Sequence, residues 1–168
     1  MLLAVSFWLL VVFIVALPLG LYFLQHPQEF MSRMTGVSIF AQPNPLLAFT
    51  KSLIAHLGMF NFYGDANWRH NFAGSPMLPW PLGILFLIGV ISSIKKIFLA
   101  IKTKNHQQIM APVFLISWFF AMLLPGVLTY EGIPHALRVV GVIPVTYIFV
   151  GLGGWWAYEK LKQFVENK

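Results

Sequence analysis

Long apolar blocks alternate with short polar segments along the chain, and the first block is the clearest. Residues 2–24 contain no charged side chain. An apolar helix of about 20 residues crosses the roughly 30 Å hydrocarbon core of a bilayer, so this block is long enough to cross it once. Three further apolar blocks follow, at residues 77–94, 109–129 and 139–158. The pattern predicts an all-α integral membrane protein, a single membrane domain with about four transmembrane helices.

The basic residues indicate how these spans are oriented. Seven of the 11 Lys and Arg side chains lie in two short segments, one between the second and third blocks and one after the fourth. Cytoplasmic segments beside membrane spans carry an excess of such residues, so both segments are predicted to be cytoplasmic. Alternation of the spans then places both termini in the cytoplasm, and residues 25–76 and 130–138 on the opposite side.

The composition agrees with a membrane location. Hydrophobic residues make up 58% of the chain and charged residues 10%, and the mean hydropathy is +0.76. Such a chain has too little polar surface for a soluble domain of this size. The net charge of +6 does not indicate nucleic-acid binding, because the lysines gather at the ends of apolar blocks instead of along one polar face. The absence of cysteine excludes disulfides and thiolate metal sites.

The external segment at residues 25–76 is too long for a simple connection, and two short helices are predicted within it. Pro27 suits the first position of one helix. Asn44 is a candidate N-cap for the second helix, and Pro45 follows it. Apolar residues recur at helical spacing through this second helix, so it is expected either to lie in the membrane interface or to pack on the spans.

The most polar stretch of the chain, GDANWRHNFAGSP, follows the second of these helices. It places Asp65, Asn67, Arg69 and His70 between two glycines. A loop of this kind can present side chains and backbone N–H groups to an anion at the membrane surface. The alternative is a turn-rich loop in which Asp and Asn side chains bond to their own backbone.

A second polar cluster, TYEGIPHALR, lies at the outer edge of the fourth span. His135 and Arg138 are three residues apart, so they are expected to share one face of a starting helix and, together with Arg69, to clamp a phosphate. The alternative is an arginine that only anchors the span end, beside a polar histidine without a ligand. Asp65 and Glu131 are interpreted as salt-bridge partners of such cations. No metal site is predicted, and the sequence contains no soluble-enzyme motif.

Four segments resemble, in order, the C-terminal half of one family: HPQEFMSRMTGVSIF, FNFYGDANWRHNFAGSPML, PLGILFLIGV and EGIPHALRVVGVIPVTY. The family is the prokaryotic membrane glycosyltransferases of the protein O-mannosyltransferase type, which share the C-type glycosyltransferase fold and include the aminoarabinose transferases. The resemblance implies transfer of a sugar from a polyprenyl-phosphate donor to an acceptor hydroxyl on the non-cytoplasmic side of a prokaryotic plasma membrane. It also implies that the lipid phosphate is bound by Arg69, His70, His135 and Arg138, with Asp65, Asn67 and Glu131 in supporting roles.

The sequence departs from this family in its length. Family members are several hundred residues long, and their acidic catalytic residues lie in a first external loop that has no counterpart here. The chain is therefore predicted to be the C-terminal fragment of a longer enzyme. Its expected partners are the N-terminal part of that enzyme, membrane lipid and the polyprenyl-phosphate-linked sugar donor. Its catalytic residues are unknown, and no cofactor is expected, although the full-length enzyme can require a divalent metal.

Two other functions are compatible with the sequence. The chain can be a small non-catalytic membrane subunit or scaffold that binds a partner through the external segment. A transport component is disfavoured, because the predicted spans carry no interior charge of the kind that lines ion paths.

Overall fold

Helices account for almost all of the regular structure. In the computed structural model the backbone is described for residues 2–167, and the side chains for the same residues except 2–5, 33, 34 and 106. Two 3₁₀ helices, Ile39–Ala41 and Ala136–Val142, interrupt the series of α-helices. The α-helices are α1 Leu2–Gln25, α2 Pro27–Val37, α3 Pro45–Gly58, α4 Trp80–Lys102, α5 His106–Val127 and α6 Ile143–Glu166.

Four helical stretches in the described residues are long and apolar enough to cross a membrane, which confirms the predicted all-α integral membrane fold. They lie in α1, α4, α5 and the continuous stretch Ala136–Glu166. Helix α4 differs from the predicted span at 77–94, because it begins later and continues past Lys95 and Lys96. Lysine is a good helix former, and its long stem can carry the charge to the membrane surface, so these residues do not end the helix.

The two helices predicted in the external segment are both present. Pro27 opens α2, and the side-chain oxygen of Asn44 accepts the Leu47 N–H of α3 at 3.0 Å, as expected of an N-cap. The buried side of α3 carries Ser52 and His56, and this helix contacts α5. Of the two arrangements expected for this helix, the structure shows packing on the spans.

Four phenylalanines form the centre of the hydrophobic core. Phe60, which lies shortly before the polar loop, stacks on Phe86 of α4 with ring centroids 5.2 Å apart. Phe119 of α5 lies 5.4 Å from Phe60, and Phe149 of α6 is completely buried against the same group. The base of the polar loop is thus held by the same core that joins the three membrane helices.

Close contact between α4 and α6 depends on two glycines. A Cβ atom at Gly89 would overlap the carbonyl oxygen of Phe149, and one at Gly153 would overlap the carbonyl oxygen of Leu85. Small residues let helix backbones approach closely, and this kind of contact replaces the hydrophobic driving force that is weak between helices in lipid. The α4–α6 pair is the most extensive helix contact in the described chain.

Helix α1 lies apart from this bundle. Among the described residues it contacts only α2, and none of its apolar window is buried. The bundle that supports the external segments therefore consists of α4, α5 and α6 with α3 packed on it.

We expect Gly153→Leu to destabilise the fold by about 1–3 kcal/mol or more, because the new side chain must displace backbone atoms of α4. Gly151→Leu is the matched control, since no atom lies within 4 Å of a Cβ at Gly151. Thermal unfolding of both variants in the same detergent measures the difference in stability. Equal melting temperatures for the two variants would contradict the proposed glycine contact.

Candidate functional site

The polar loop is closed by backbone bonds between its two glycines. Gly64 donates its N–H to the carbonyl of Gly74 at 3.2 Å, and Gly74 donates to the carbonyl of Asp65 at 2.9 Å. Gly74 has a φ of +75°, a conformation that residues other than glycine rarely adopt. A Cβ at Gly64 would overlap the carbonyl oxygen of Ser75. Asn71 also donates its side-chain N–H to that Ser75 carbonyl, at 2.6 Å. The loop is therefore a compact turn that fixes Asp65 at its base.

The carboxylate of Asp65 joins the two external segments. The residue is only 3% exposed, and its Oδ1 accepts the backbone N–H of Asn67 at 2.8 Å. Its Oδ2 accepts the backbone N–H of Ala136, from the second polar cluster, at 2.8 Å. The Nδ1 atom of His70 lies 2.7 Å from the same oxygen.

These contacts keep Asp65 ionised. Burial alone would raise the pKa of its carboxyl, but the hydrogen bonds from Asn67, Ala136 and His70 outweigh that effect and hold the pKa below its ordinary value. Because an ionised carboxylate only accepts hydrogen bonds, Nδ1 of His70 must carry the proton between them.

Two histidines stack beside this carboxylate. The rings of His70 and His135 have centroids 4.6 Å apart and planes inclined by 29°. Burial, followed by the positive charge of Arg138, lowers the pKa of His135 below its ordinary 6.5. The potential metal-ligand atoms of Asp65, His70 and His135 all lie within 4.8 Å of one another.

A third histidine, His56 of α3, holds the backbone of this site by a hydrogen bond. Its Nε2 accepts the backbone N–H of His135 at 3.1 Å, so its Nδ1 carries a proton and donates it to the carbonyl of Ser52 at 2.8 Å. His56 is completely buried, and this burial lowers its pKa below 6.5. Sequence reasoning missed this residue. The available signal was that Ser52 and His56, four apart, lie on the same face of a mostly apolar helix.

Arg138 forms an ion pair with Glu131, as predicted. Its Nη2 lies 2.7 Å from the Glu131 carboxylate, and its Nη1 donates to the Glu131 carbonyl and to the Thr129 hydroxyl, each at 3.0 Å. The Arg138 side chain is 24% exposed and that of Glu131 is 63% exposed. Arg138 faces a groove of about 430 Å³, here called the Arg138 groove, lined by Ser32, Gly36, Val37, Glu131 and Arg138.

The structure brings most of the predicted site residues together. Asp65 pairs with a histidine and not with an arginine, because its two oxygens are already directed at His70 and backbone N–H groups. Asn67 accepts the Arg69 backbone N–H at 3.0 Å, so the alternative of Asp and Asn bonding to nearby backbone also describes this loop. The side chain of Arg69 is exposed and makes no hydrogen bond with the described residues.

His135 and Arg138 do not begin an α-helix as predicted. His135 precedes the 3₁₀ helix Ala136–Val142, and Arg138 lies within its first turn. Because His135 is extended and lies outside that helix, helical spacing does not set the relation of the two side chains.

No protein-family model, curated protein or solved structure matches the chain. The resemblance to membrane glycosyltransferases therefore stays a prediction, and the roles of the site residues depend on their geometry.

The two lowered histidine pKa values predict how stability changes with pH. The pKa values of His56 and His135 are lower in the folded chain than the ordinary 6.5 of the unfolded chain, so the unfolded chain takes up protons first as the pH falls. The free energy of unfolding is therefore expected to fall as pH drops through about 6.5 toward the folded pKa values, by at most about 1.4 kcal/mol per pH unit for each histidine.

Thermal unfolding across this pH range checks the prediction. His56→Gln should lower stability at neutral pH but reduce the pH dependence, because one of the two titrating groups is gone. His26→Gln, which replaces an exposed histidine, is the control and should keep the wild-type slope. The same slope in all three proteins would contradict the assignment.

Proposed function

We propose that this chain is the donor-lipid-binding portion of a membrane glycosyltransferase. The enzyme would transfer a sugar from a polyprenyl phosphate to an acceptor hydroxyl on the non-cytoplasmic side of a prokaryotic plasma membrane. The observation that carries the proposal is the partly exposed guanidinium of Arg138, held by an ion pair at the edge of a groove beside a membrane span.

The guanidinium of Arg138 has capacity left for a ligand. Arginine carries five N–H donors, and the described contacts with Thr129 and Glu131 use three of them. Two donors are thus available for phosphate oxygens without any contact being broken. If Glu131, which is mostly exposed, moves away, a third becomes available, and planar bidentate binding of phosphate is the geometry that arginine favours.

The shape and surroundings of the groove suit a small anionic headgroup. Its volume of about 430 Å³ lies within the usual range of about 300–1,000 Å³ for small-molecule sites. Among the residues whose side chains the structure describes, Arg138 is the only cation that lines it. A lipid phosphate at this depth would keep its charge at the membrane surface while its tail stays in the hydrocarbon region.

An apolar cavity of about 170 Å³ is lined in part by residues of the same 3₁₀ helix. Its wall includes Ala136, Val139 and Val142, together with Met59 and Phe60 from the base of the polar loop. A hydrophobic cavity that shares a helix with the phosphate-binding arginine supports a ligand that is part anion and part hydrocarbon.

Arg69 is the second candidate cation. It directly precedes His70, and its exposed side chain makes no hydrogen bond with the described residues. We assign it to the outer part of the donor, where the sugar oxygens would lie. His70 and His135 would stand between the two arginines, with Asp65, Asn67 and Glu131 holding them in place.

Sugar transfer would also require a carboxylate that takes the proton of the acceptor hydroxyl, and this site does not supply one. Asp65 is buried and already accepts hydrogen bonds from three N–H groups, so it is not placed to remove a proton from an acceptor. We assign that step to another membrane segment of the same enzyme. The uncovered apolar surface of α1 offers a contact surface for such a segment. In this arrangement both termini lie in the cytoplasm.

A non-catalytic scaffold is the second candidate function, and exposed aromatic residues favour it. Phe62 and Tyr63, just before the polar loop, and Trp68 and Phe72 within it are each between 61% and 71% exposed. Aromatic side chains are enriched at protein interfaces and at membrane surfaces, so these four residues would form a contact surface for a partner subunit.

Binding of lipid by the purified chain in nanodiscs separates these functions. We expect a polyprenyl phosphate to bind more tightly than the polyprenol of the same chain length. Arg138→Gln should weaken phosphate binding about tenfold or more, because a charge-assisted hydrogen bond contributes about 1.5–3 kcal/mol and about 1.4 kcal/mol corresponds to tenfold. Arg69→Gln should have a smaller effect in the same direction.

Lys51→Gln is the matched control. Lys51 is an exposed cation on α3, and its replacement removes the same charge outside the proposed site. We expect its lipid binding to equal that of the wild type. Equal binding of the phosphate and the alcohol, or equal losses in the arginine and lysine variants, would contradict the proposal and favour the scaffold.

A further inference from the structure

The cluster of Asp65, His70 and His135 has features of a metal site that the sequence did not predict. Its three potential ligand atoms come from two external segments and lie within 4.8 Å of one another. The ligand atoms of a tetrahedral Zn²⁺ site lie about 3.4 Å apart, given bond lengths near 2.1 Å. The pair formed by His70 Nδ1 and Asp65 Oδ2, at 2.7 Å, is closer than this, and no pair is wider than 4.8 Å. Side-chain rotations that open the first pair and close the wider ones would place the three atoms around one ion.

An unsatisfied nitrogen provides a second, independent observation. The Nδ1 atom of His135 is buried and has no hydrogen-bond partner among the described residues. Buried polar atoms are nearly always paired, so an unpaired one calls for a ligand. A metal ion bound to this nitrogen would satisfy it.

The ligands are held by outer contacts of the kind that metal sites use. Backbone N–H groups of Asn67 and Ala136 fix the Asp65 carboxylate. The buried ring of His56 fixes the backbone of His135. Hydrogen bonds of this type orient metal ligands and are part of the site's affinity. The charge of nearby Arg138 opposes a cation, but its ion pair with Glu131 at 2.7 Å offsets that repulsion.

We propose that Asp65, His70 and His135 bind one divalent transition-metal ion of the Zn²⁺ type, and that the ion replaces the proton between the Asp65 carboxylate and Nδ1 of His70. Two imidazoles and one carboxylate form a donor set typical of zinc sites that keep a fourth position open. That position would accept water or an oxygen of a bound anion. The site does not depend on the proposed glycosyltransferase function, because metal binding can be measured without any lipid.

The experiment uses the full chain in detergent micelles, with Co²⁺ as a spectroscopic probe and Zn²⁺ as a competitor. We expect one equivalent of Co²⁺ to bind, with the strong visible absorption of a tetrahedral complex, and Zn²⁺ to displace it. Asp65→Asn and His70→Gln should each weaken binding at least about tenfold, since even indirect ligand contacts affect affinity by about 10–100-fold. His26→Gln, outside the cluster, should bind like the wild type.

Thermal unfolding of each variant in the presence of a chelator identifies folding defects. If Asp65→Asn does not fold, the decision rests on His70→Gln, because the bond from Ala136 to Asp65 is intact in that protein. Absence of a tetrahedral Co²⁺ spectrum in the wild type would overturn the proposal. So would unchanged metal affinity in folded His70→Gln, or an equal loss in His26→Gln.

Discussion

The hydrogen bonds of the Asp65 carboxylate are the interaction on which the segments between the membrane helices depend. A buried carboxylate is costly unless its oxygens are paired, and here three N–H groups pair them. One of those groups belongs to Ala136, at the start of the last membrane span, so the polar loop cannot separate from that span without leaving a charge unpaired. The positions of His70 and His135 both follow from this contact.

The membrane helices determine where this contact forms. Gly89 and Gly153 let α4 and α6 approach until their backbones touch, and Gly126 of α5 leaves room for His56, whose ring a Cβ there would overlap. His56 in turn holds the backbone of His135. A polar site at the membrane surface is thus built on a tightly packed apolar bundle. This combination suits a ligand with a charged head and a hydrocarbon tail, which the proposed polyprenyl phosphate is.

Local signals in the sequence predicted the helices well, because each depends on near neighbours. The apolar blocks gave the spans, and Asn44 with Pro45 gave the start of α3. Contacts over long separations could not be predicted in this way. Asp65 and Ala136 are 71 residues apart, and no local sequence pattern shows that the Asp65 carboxylate will accept the backbone N–H of Ala136. The buried role of His56 and the stacking of His70 on His135 depend on the same long-range closure, so the sequence indicated the residue types of the site but not their partners.

Hydrogen exchange at the backbone amide of Ala136 tests the central contact most directly. The bond to Asp65 predicts that this amide is protected in the wild-type chain. Replacing Asp65 with alanine should speed its exchange about tenfold or more, since a hydrogen bond to a charged group contributes about 1.5–3 kcal/mol and about 1.4 kcal/mol is tenfold. Rapid exchange of the Ala136 amide in the wild type, or exchange that is unchanged in Asp65→Ala, would contradict the account.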